Sequence, residues 1–325
     1  MRKIYDIAII GAGPAGIATS CEAIIFGVEN ILLFEKSDNH SETIRKYFND
    51  NKPVDKDWKG IKVELEGHID FKDGTKETTL DLFEDSLEKN LIDAHFNTEI
   101  SKIIKLADKF KVYTSTNDIY YAKNIVVAIG KMGKPNKPSY KIPPSLRKKA
   151  NHTIADCKGN EDVLVVGGGD SACEYAYFIH QDNKVTFNYR RDEITKANPK
   201  NVKNLMNCAE DKEIELKLGI DIKNVEDENG KFKVFYSDGQ IEKYDRIIYA
   251  LGGVTPKEFL ESCSVVLDKK GNPLINDKNQ NSEGIYIAGD VAGSIGGSIA
   301  LALNHGYNII KDCAVYIEHN EAISA

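Results

Sequence analysis

Two short glycine runs, each set between an apolar β-branched stretch and a helix-like one, constrain this chain more than any other feature. Asp6-Ile-Ala-Ile-Ile10 leads into Gly11-Ala-Gly13-Pro14-Ala15-Gly16, and Asp162-Val-Leu-Val-Val166 leads into Gly167-Gly-Gly169-Asp170-Ser171-Ala172. In that setting the spacing means strand, tight turn, helix. The first glycine turns the chain, the second lets backbone approach a pyrophosphate, and the third position lets the helix pack closely on the strand. The pattern predicts two dinucleotide sites in one chain, and a protein holding two dinucleotides is expected to move electrons between them.

An internal repeat sets the architecture. Lys109-Phe-Lys-Val112 leads through Ile119 to Ile125-Val-Val-Ala128-Ile-Gly130, and Lys231-Phe-Lys-Val234 leads through Ile241 to Ile247-Ile-Tyr-Ala250-Leu-Gly252, with every position offset by 122 residues. Each copy reads as two strands joined by a turn, then a buried strand ending at glycine. A third strand signal, Ile285-Tyr-Ile-Ala288, ends in Gly289-Asp290. The expected fold is α/β: two Rossmann-like, three-layer ββα dinucleotide domains, the second (135–252) inserted into a split first one (1–134 and 253–325). Connections are expected at 133–138 and 252–256, where Gly and Pro cluster. Helices are expected around 42–48 and over 79–92 from their apolar spacing.

A length of 325 residues suits two domains. A net charge of −7 argues against nucleic acid or an anionic membrane surface as partner, and no apolar run approaches a membrane span. Asp6 interrupts the apolar start, so a secretion signal is not expected and the cytoplasm is. The six cysteines are scattered, with no CxxC, and the histidines show no metal-ligand spacing, so neither a disulfide nor a metal is expected.

The strand following each glycine turn separates the two sites chemically. Ile31-Leu-Leu-Phe34 ends at Glu35, 24 residues after Gly11. A carboxylate there accepts hydrogen bonds from an adenosine ribose and repels a 2′-phosphate, which selects FAD or NAD over NADP. The equivalent strand, Val185–Tyr189, ends in Arg190-Arg191, 23 residues after Gly167, with Lys196 nearby. Guanidinium groups grip phosphate in bidentate fashion, as the 2′-phosphate of NADPH requires. Asp290 suits the ribityl chain of a flavin. A helix opening near Ser298 and Ile299 is expected to present its amides to the flavin's pyrimidine edge. Hydride passes between the cofactors themselves, so no catalytic side chain is assigned.

In these residues, taken in order, the chain resembles the thioredoxin-reductase-like flavoproteins over nearly its whole length. The resemblance implies FAD in the split domain, NADPH in the inserted one, and a homodimer. The FAD contacts it implies are Gly11, Gly13, Pro14, Ala15, Gly16, Glu35, Lys36, Ala128, Gly130, Gly289, Asp290, Ser298 and Ile299, with Ile100 meeting the adenine through its backbone. Those for NADPH are Gly167, Gly169, Asp170, Ser171, Ala172, Arg190, Arg191 and Lys196. Thioredoxin reductases carry CxxC shortly before the second glycine run; here that stretch is His152-Thr-Ile-Ala-Asp156-Cys157, with one cysteine. Bacillithiol-disulfide-reductase relatives place a cysteine within the first run, where this chain has Ala15. The wording Gly167–Ala172, Glu66-Gly-His-Ile69 and Ala302-Leu-Asn-His-Gly-Tyr307 is similar to the ferredoxin/flavodoxin–NADP reductases and the flavodoxin:quinone reductases of the group. This implies a flavodoxin, ferredoxin or quinone as electron acceptor. Two other readings stay open: a disulfide reductase using Cys157, and a non-catalytic NADPH-sensing flavoprotein. His40, Ser41, Lys52, Trp58 and His68 are candidates for acceptor contacts. A basic surface of Lys131, Lys134, Lys137, Lys148 and Lys149 is a candidate docking site for an acidic flavodoxin.

Overall fold

Strands with no polar alternation need cover on both faces, and both glycine turns close such strands. The computed structural model describes residues 3–28, 30–57, 62–131, 135–253, 256–293 and 297–324, with 314–324 as backbone only. The chain divides into two compact units, Met1–Gly133 with Thr255–Ala325, and Lys134–Val254.

In the split unit, strand Ile4–Ile10 lies at the centre of a seven-stranded sheet. It pairs in parallel with Ile31–Phe34 on one side and Ile119–Val127 on the other. Its residues alternate between two cores. Ile7 and Ile9 pack with the helices Pro14–Ile25, Lys76–Lys89 and the start of Ile299–Ser324. Ala8 and Ile10 pack with Ile100, Phe110, Val112 and Leu260. The late segment Tyr286–Ile287 pairs in parallel with Val126 and Val127, so residues 160 positions apart complete one sheet.

The inserted unit has the same plan. A five-stranded parallel sheet carries Asp162–Val166 at its centre, between Lys184–Tyr189 and Arg246–Tyr249. Val163 and Val165 face the helices Asp170–Ile179 and Pro199–Glu210. Leu164 faces a separate three-stranded antiparallel sheet, Ile222–Glu228, Lys231–Tyr236 and Ile241–Tyr244. Three layers result, and the fold class is the one expected.

The repeat is larger than the sequence reading had it. Each hairpin gains a preceding third strand, Ile100–Lys105 in one copy and Ile222–Glu228 in the other, again 122 residues apart. Both strands carry a β-bulge at the same repeat position, between Ile100 and Lys102 and between Ile222 and Asn224. The copies differ in one respect. Ile119–Val127 runs unbroken from the hairpin into the parallel sheet, whereas its counterpart breaks at Asp245. There the Asp245 amide donates to Asp162 O (2.8 Å) and its carboxylate accepts from Asp162 N (3.0 Å), turning the chain out of the ladder.

The helix expected over 79–92 spans Lys76–Lys89 instead. Thr75 and Thr78 form a reciprocal capping box that starts it three residues earlier than the apolar spacing indicates. The expected connections at 133–138 and 252–256 fall partly on residues 133, 134, 254 and 255, outside the described residues.

Candidate functional site: two glycine turns

Gly11 stands at φ +106°, and a Cβ there would come within 2.6 Å of Ala128 O. Gly167 stands at φ +153°, and its Cβ would meet Ala250 O at 2.3 Å. Ala128 and Ala250 are the same position in the two repeats, so in each copy the last strand presses its carbonyl against that copy's own glycine turn. The amides of these alanines donate back to Ile10 O (2.8 Å) and Val166 O (2.9 Å). The middle glycines behave oppositely: a Cβ on Gly13 or Gly169 meets nothing within 4 Å. The turn is walled on the sheet side and open on the other, as a pyrophosphate cradle requires. Each open glycine is the N-cap of a helix, Pro14–Ile25 or Asp170–Ile179, whose first-turn amides lack intrahelical acceptors. Pro14 at the first helical position contributes no such amide. Gly16 lets the first helix start hard against the turn, since its Cβ would lie 1.8 Å from Gly11 O.

Around the first turn, Glu35 is buried and its carboxylate holds backbone. Oε2 accepts from Ala12 N and Oε1 from Ser37 N, both at 2.9 Å. Ala12 O accepts in turn from Ser41 N at 2.8 Å, so the residue between the two glycines is held from both sides. Each Glu35 oxygen keeps a second acceptor site. Thr98 N donates to Glu35 O (2.8 Å), which delivers Ile100, two residues on, to the same end of the sheet. Lys36 is exposed. Gly289 and Asp290 emerge beside Ala128, because Ala288 N donates to Val127 O at 2.9 Å. A Cβ on Gly289 would lie 3.0 Å from Ala15 Cβ. The sequence-expected FAD positions Gly11–Gly16, Glu35, Ala128 and Gly289-Asp290 therefore meet at the carboxyl ends of adjacent parallel strands, where ligands of open α/β sheets bind.

Two expected contacts have other occupations. Ser298 is buried and its Oγ accepts from Leu301 N (3.2 Å) as a helix cap, beside Ile299 at the helix start. Asp290 Oδ1 accepts from Gly297 N at 2.8 Å. Residues 294–296 of that loop lie outside the described residues.

Around the second turn, Gly167 N donates to Asn188 O at 3.0 Å, two residues before Arg190. Arg190, Arg191 and Lys196 are exposed, and Ser171 and Ala172 lie in the helix's first turn. Asp170 has a structural role: Oδ1 accepts from Asn198 N (2.5 Å) and Asn201 Nδ2 (3.0 Å), latching the loop that carries Lys196 to the first turn of the helix.

Further polar bonds join elements of the split unit. Buried Glu22 accepts from His68 N (2.6 Å) and contacts His68 Nδ1 (2.7 Å). Asn304 accepts from Glu66 N (3.0 Å) and donates to Glu64 O (2.8 Å). The Glu66–Ile69 and Ala302–Tyr307 stretches, singled out separately in the sequence, are thus bonded to each other. Gly306 marks the tightest crossing of the last helix on the first, its Cβ position lying 2.6 Å from Thr19 N. His305 Nδ1 accepts from Gly289 N (3.1 Å), and burial lowers the ring's pKa, so it is neutral with its proton on Nε2.

The acceptor-contact candidates change accordingly. His40 is fully buried, its Nδ1 3.1 Å from Ser41 Oγ and its Nε2 facing Arg45 and Glu84; burial and the Arg45 charge lower its pKa. It is a core histidine under the glycine turn, and Ser41 is buried with it. Lys52 stacks over the Phe48 ring. His68 keeps about half its side chain exposed. Trp58 and Lys134 lie outside the described residues. Cys157 is half-buried against the core of the inserted unit, and burial pushes its thiol up to about 11, so it is protonated at neutral pH.

The comparisons with known proteins agree with this geometry. A ferredoxin–NADP reductase of Rickettsia canadensis is 27% identical over 94% of this chain and 93% of its own. A thioredoxin reductase of Helicobacter pylori is 31% identical over 58% of this chain and 57% of its own. Among solved structures, a bacillithiol disulfide reductase from Bacillus cereus shares the fold, with a TM-score of 0.82 at 22% identity, covering 97% of this chain and all of the other. Residues 8–289 match the sequence pattern of the pyridine nucleotide-disulphide oxidoreductases, and the chain belongs to that family.

Proposed function

We propose that this protein is an NADPH-dependent flavoprotein oxidoreductase that passes electrons from NADPH through FAD to a flavodoxin or ferredoxin, or to a quinone. One observation carries the reading. Two glycine turns of the same geometry, open at Gly13 and at Gly169, are followed by opposite chemistry, a buried carboxylate at Glu35 and paired exposed guanidiniums at Arg190-Arg191. FAD is assigned to the split unit and NADPH to the inserted one. The full-length similarity to a ferredoxin–NADP reductase supports the acceptor class.

When bound, FAD would supply the electron relay between nicotinamide and the acceptor. The chain's own residues bind and orient. The open faces of Gly13 and Gly169 admit pyrophosphate to helix N-termini. Glu35 offers its remaining acceptor sites to ribose hydroxyls. Arg190 and Arg191 bind the 2′-phosphate, and Asp290 the ribityl hydroxyls. No CxxC stands before the second turn, and the protonated Cys157 thiol makes a poor nucleophile, so disulfide reduction is not favoured. A homodimer in the cytoplasm completes the proposal. Among the described residues no helix is long and apolar enough to cross a membrane.

The test is anaerobic reduction of the purified flavoprotein with NADPH, followed by rates with flavodoxin, ferredoxin, quinones and thioredoxin. Bleaching of the flavin and fastest turnover with one of the first three is expected. An unbleached flavin, or turnover only with thioredoxin, overturns the reading.

A further inference from the structure

Away from both glycine turns, three side chains with metal-ligand chemistry converge in the inserted unit. His180 follows the carboxyl end of the helix Asp170–Ile179, Cys208 lies in the last turn of Pro199–Glu210, and Glu213 precedes the strand Ile214–Leu218. His180 Nε2 stands 3.3 Å from Glu213 Oε2 and 3.8 Å from Cys208 Sγ, and all three ligand atoms lie within 4.8 Å of one another. The ring is 8% exposed, the thiol is buried, and the carboxylate is half-exposed. Glu213 N donates to Cys208 O (2.8 Å), which fixes two of the three relative to each other.

The tautomer follows from the backbone. His180 Nδ1 lies in hydrogen-bond contact with Tyr177 O, and a carbonyl can only accept, so Nδ1 carries a proton. In the neutral ring Nε2 then presents a lone pair to a sulfur and a carboxylate oxygen. Once the Cys208 thiol gives up its proton, three electron-rich atoms face one another, and a cation can replace that proton between them. A proton on Nε2 would answer to Glu213 alone. A tetrahedral cation answers to all three: bond lengths of about 2.0–2.1 Å to N and O and about 2.3 Å to S give edges of about 3.3 Å for N–O and about 3.6 Å for N–S. The His180–Glu213 separation of 3.3 Å matches its edge, the His180–Cys208 separation of 3.8 Å is slightly longer than its edge, and Cys208 Sγ and the Glu213 oxygen lie within 4.8 Å.

We propose that His180, Cys208 and Glu213 bind a zinc-class divalent cation, with water in the fourth position. Thiolate with imidazole selects Zn2+ over Mg2+ or Ca2+. The Tyr177 carbonyl is the outer partner that holds a ligating imidazole in orientation. A cysteine thiol is ordinarily protonated at neutral pH, so binding breaks one S–H bond, forms one S–Zn bond and releases one proton to solvent. The bound cation ties the far end of the second glycine-turn helix to the edge of the parallel sheet.

The experiment uses the full flavin-loaded chain, stripped with a chelator and titrated with Zn2+ by equilibrium dialysis with elemental analysis, and in weak buffer for proton release. One Zn2+ and one proton per chain are expected in the wild type. Cys208→Ser and Glu213→Gln should each weaken binding by more than the about 10- to 100-fold typical of losing an outer-shell partner. The surface position of Glu213 keeps that variant folded, and an unchanged flavin spectrum checks it. No uptake by the wild type, or equal uptake by the wild type and both variants, overturns the proposal and leaves a His180–Glu213 ion pair. Neither result bears on electron transfer.

Discussion

The Glu35 carboxylate accepts a hydrogen bond from Ala12 N at 2.9 Å, so the acid that ends one strand also holds the glycine turn that ends its neighbour. A second bond from Ser37 N makes this side chain structural before any ribose arrives. Glu35→Ala removes a charged acceptor from two backbone amides, at about 1.5–3 kcal/mol each. Urea unfolding should show a loss of about 3–6 kcal/mol, and the variant should purify with less flavin. Glu35→Gln, which keeps one acceptor oxygen, should fall between. Wild-type stability in Glu35→Ala would refute this role.

Two glycines should separate folding from cofactor binding. Gly13→Ala places its methyl in open space, so the apoprotein's melting temperature should hold while flavin affinity drops. Gly306→Ala gains about 1 kcal/mol of helix propensity but drives a methyl to 2.6 Å from Thr19 N. Overpacking typically costs about 1–3 kcal/mol and should win. Calorimetry with flavin quantitation distinguishes the two outcomes.

Arg190→Ala and Arg191→Ala should each raise the KM for NADPH about 10- to 100-fold, the worth of one charged phosphate contact. The KM for NADH should barely move, and stability should not change, since both side chains are exposed. Steady-state kinetics with a dye acceptor measures both. An equal effect on the two nucleotides would remove the 2′-phosphate assignment.

Cys157→Ser should retain full turnover with the physiological acceptor, because a thiol pushed up to about 11 is not a nucleophile at neutral pH. A loss of turnover beyond about tenfold would return the disulfide-reductase reading.

His40 and His305 both have folded pKa values below the ordinary 6.5, in each case chiefly through burial. For a base shifted in this direction the unfolded chain binds more protons once the pH drops beneath about 6.5. The stabilisation is whole above that pH and is lost as the pH falls toward the folded values. Unfolding free energy should decline between about pH 7 and 5, by up to about 1.4 kcal/mol per pH unit for each histidine. Urea titrations of the wild type and His305→Gln test this: the variant should show a shallower decline, and identical slopes would clear His305.

What was legible in the sequence was what the backbone demands. Gly11 and Gly167 are irreplaceable for steric reasons, the β-branched runs before them can only be buried strands, and the 122-residue offset is visible without coordinates. The third strand of each meander was overlooked because a bulge breaks its alternation at Ile100 and Ile222. A signal was present in Asn229-Gly230, both at positive φ, a strong hairpin turn that marks Ile222–Glu228 as a strand.

The long-range polar bonds were not legible. Glu22 to His68, Asn304 to Glu64 and Glu66, and His305 to Gly289 depend on which helix faces which loop. Asp170 stands in a glycine motif and looks like a ligand contact, yet its carboxylate serves Asn198 and Asn201. Position in a motif identified the turn but not the duty of every side chain in it.

The pairing of Tyr286 and Ile287 with Val126 and Val127 has a bearing on how the chain matures. During synthesis the inserted unit has all its strands once Arg246–Tyr249 leaves the ribosome, and it can fold at once. The amino-terminal sheet was made earlier but has to wait, its helix Pro14–Ile25 uncovered until Ile299 and the residues after it arrive to pack against it. The portion translated first is therefore the one that becomes native last, and during that interval it is the natural client for a chaperone.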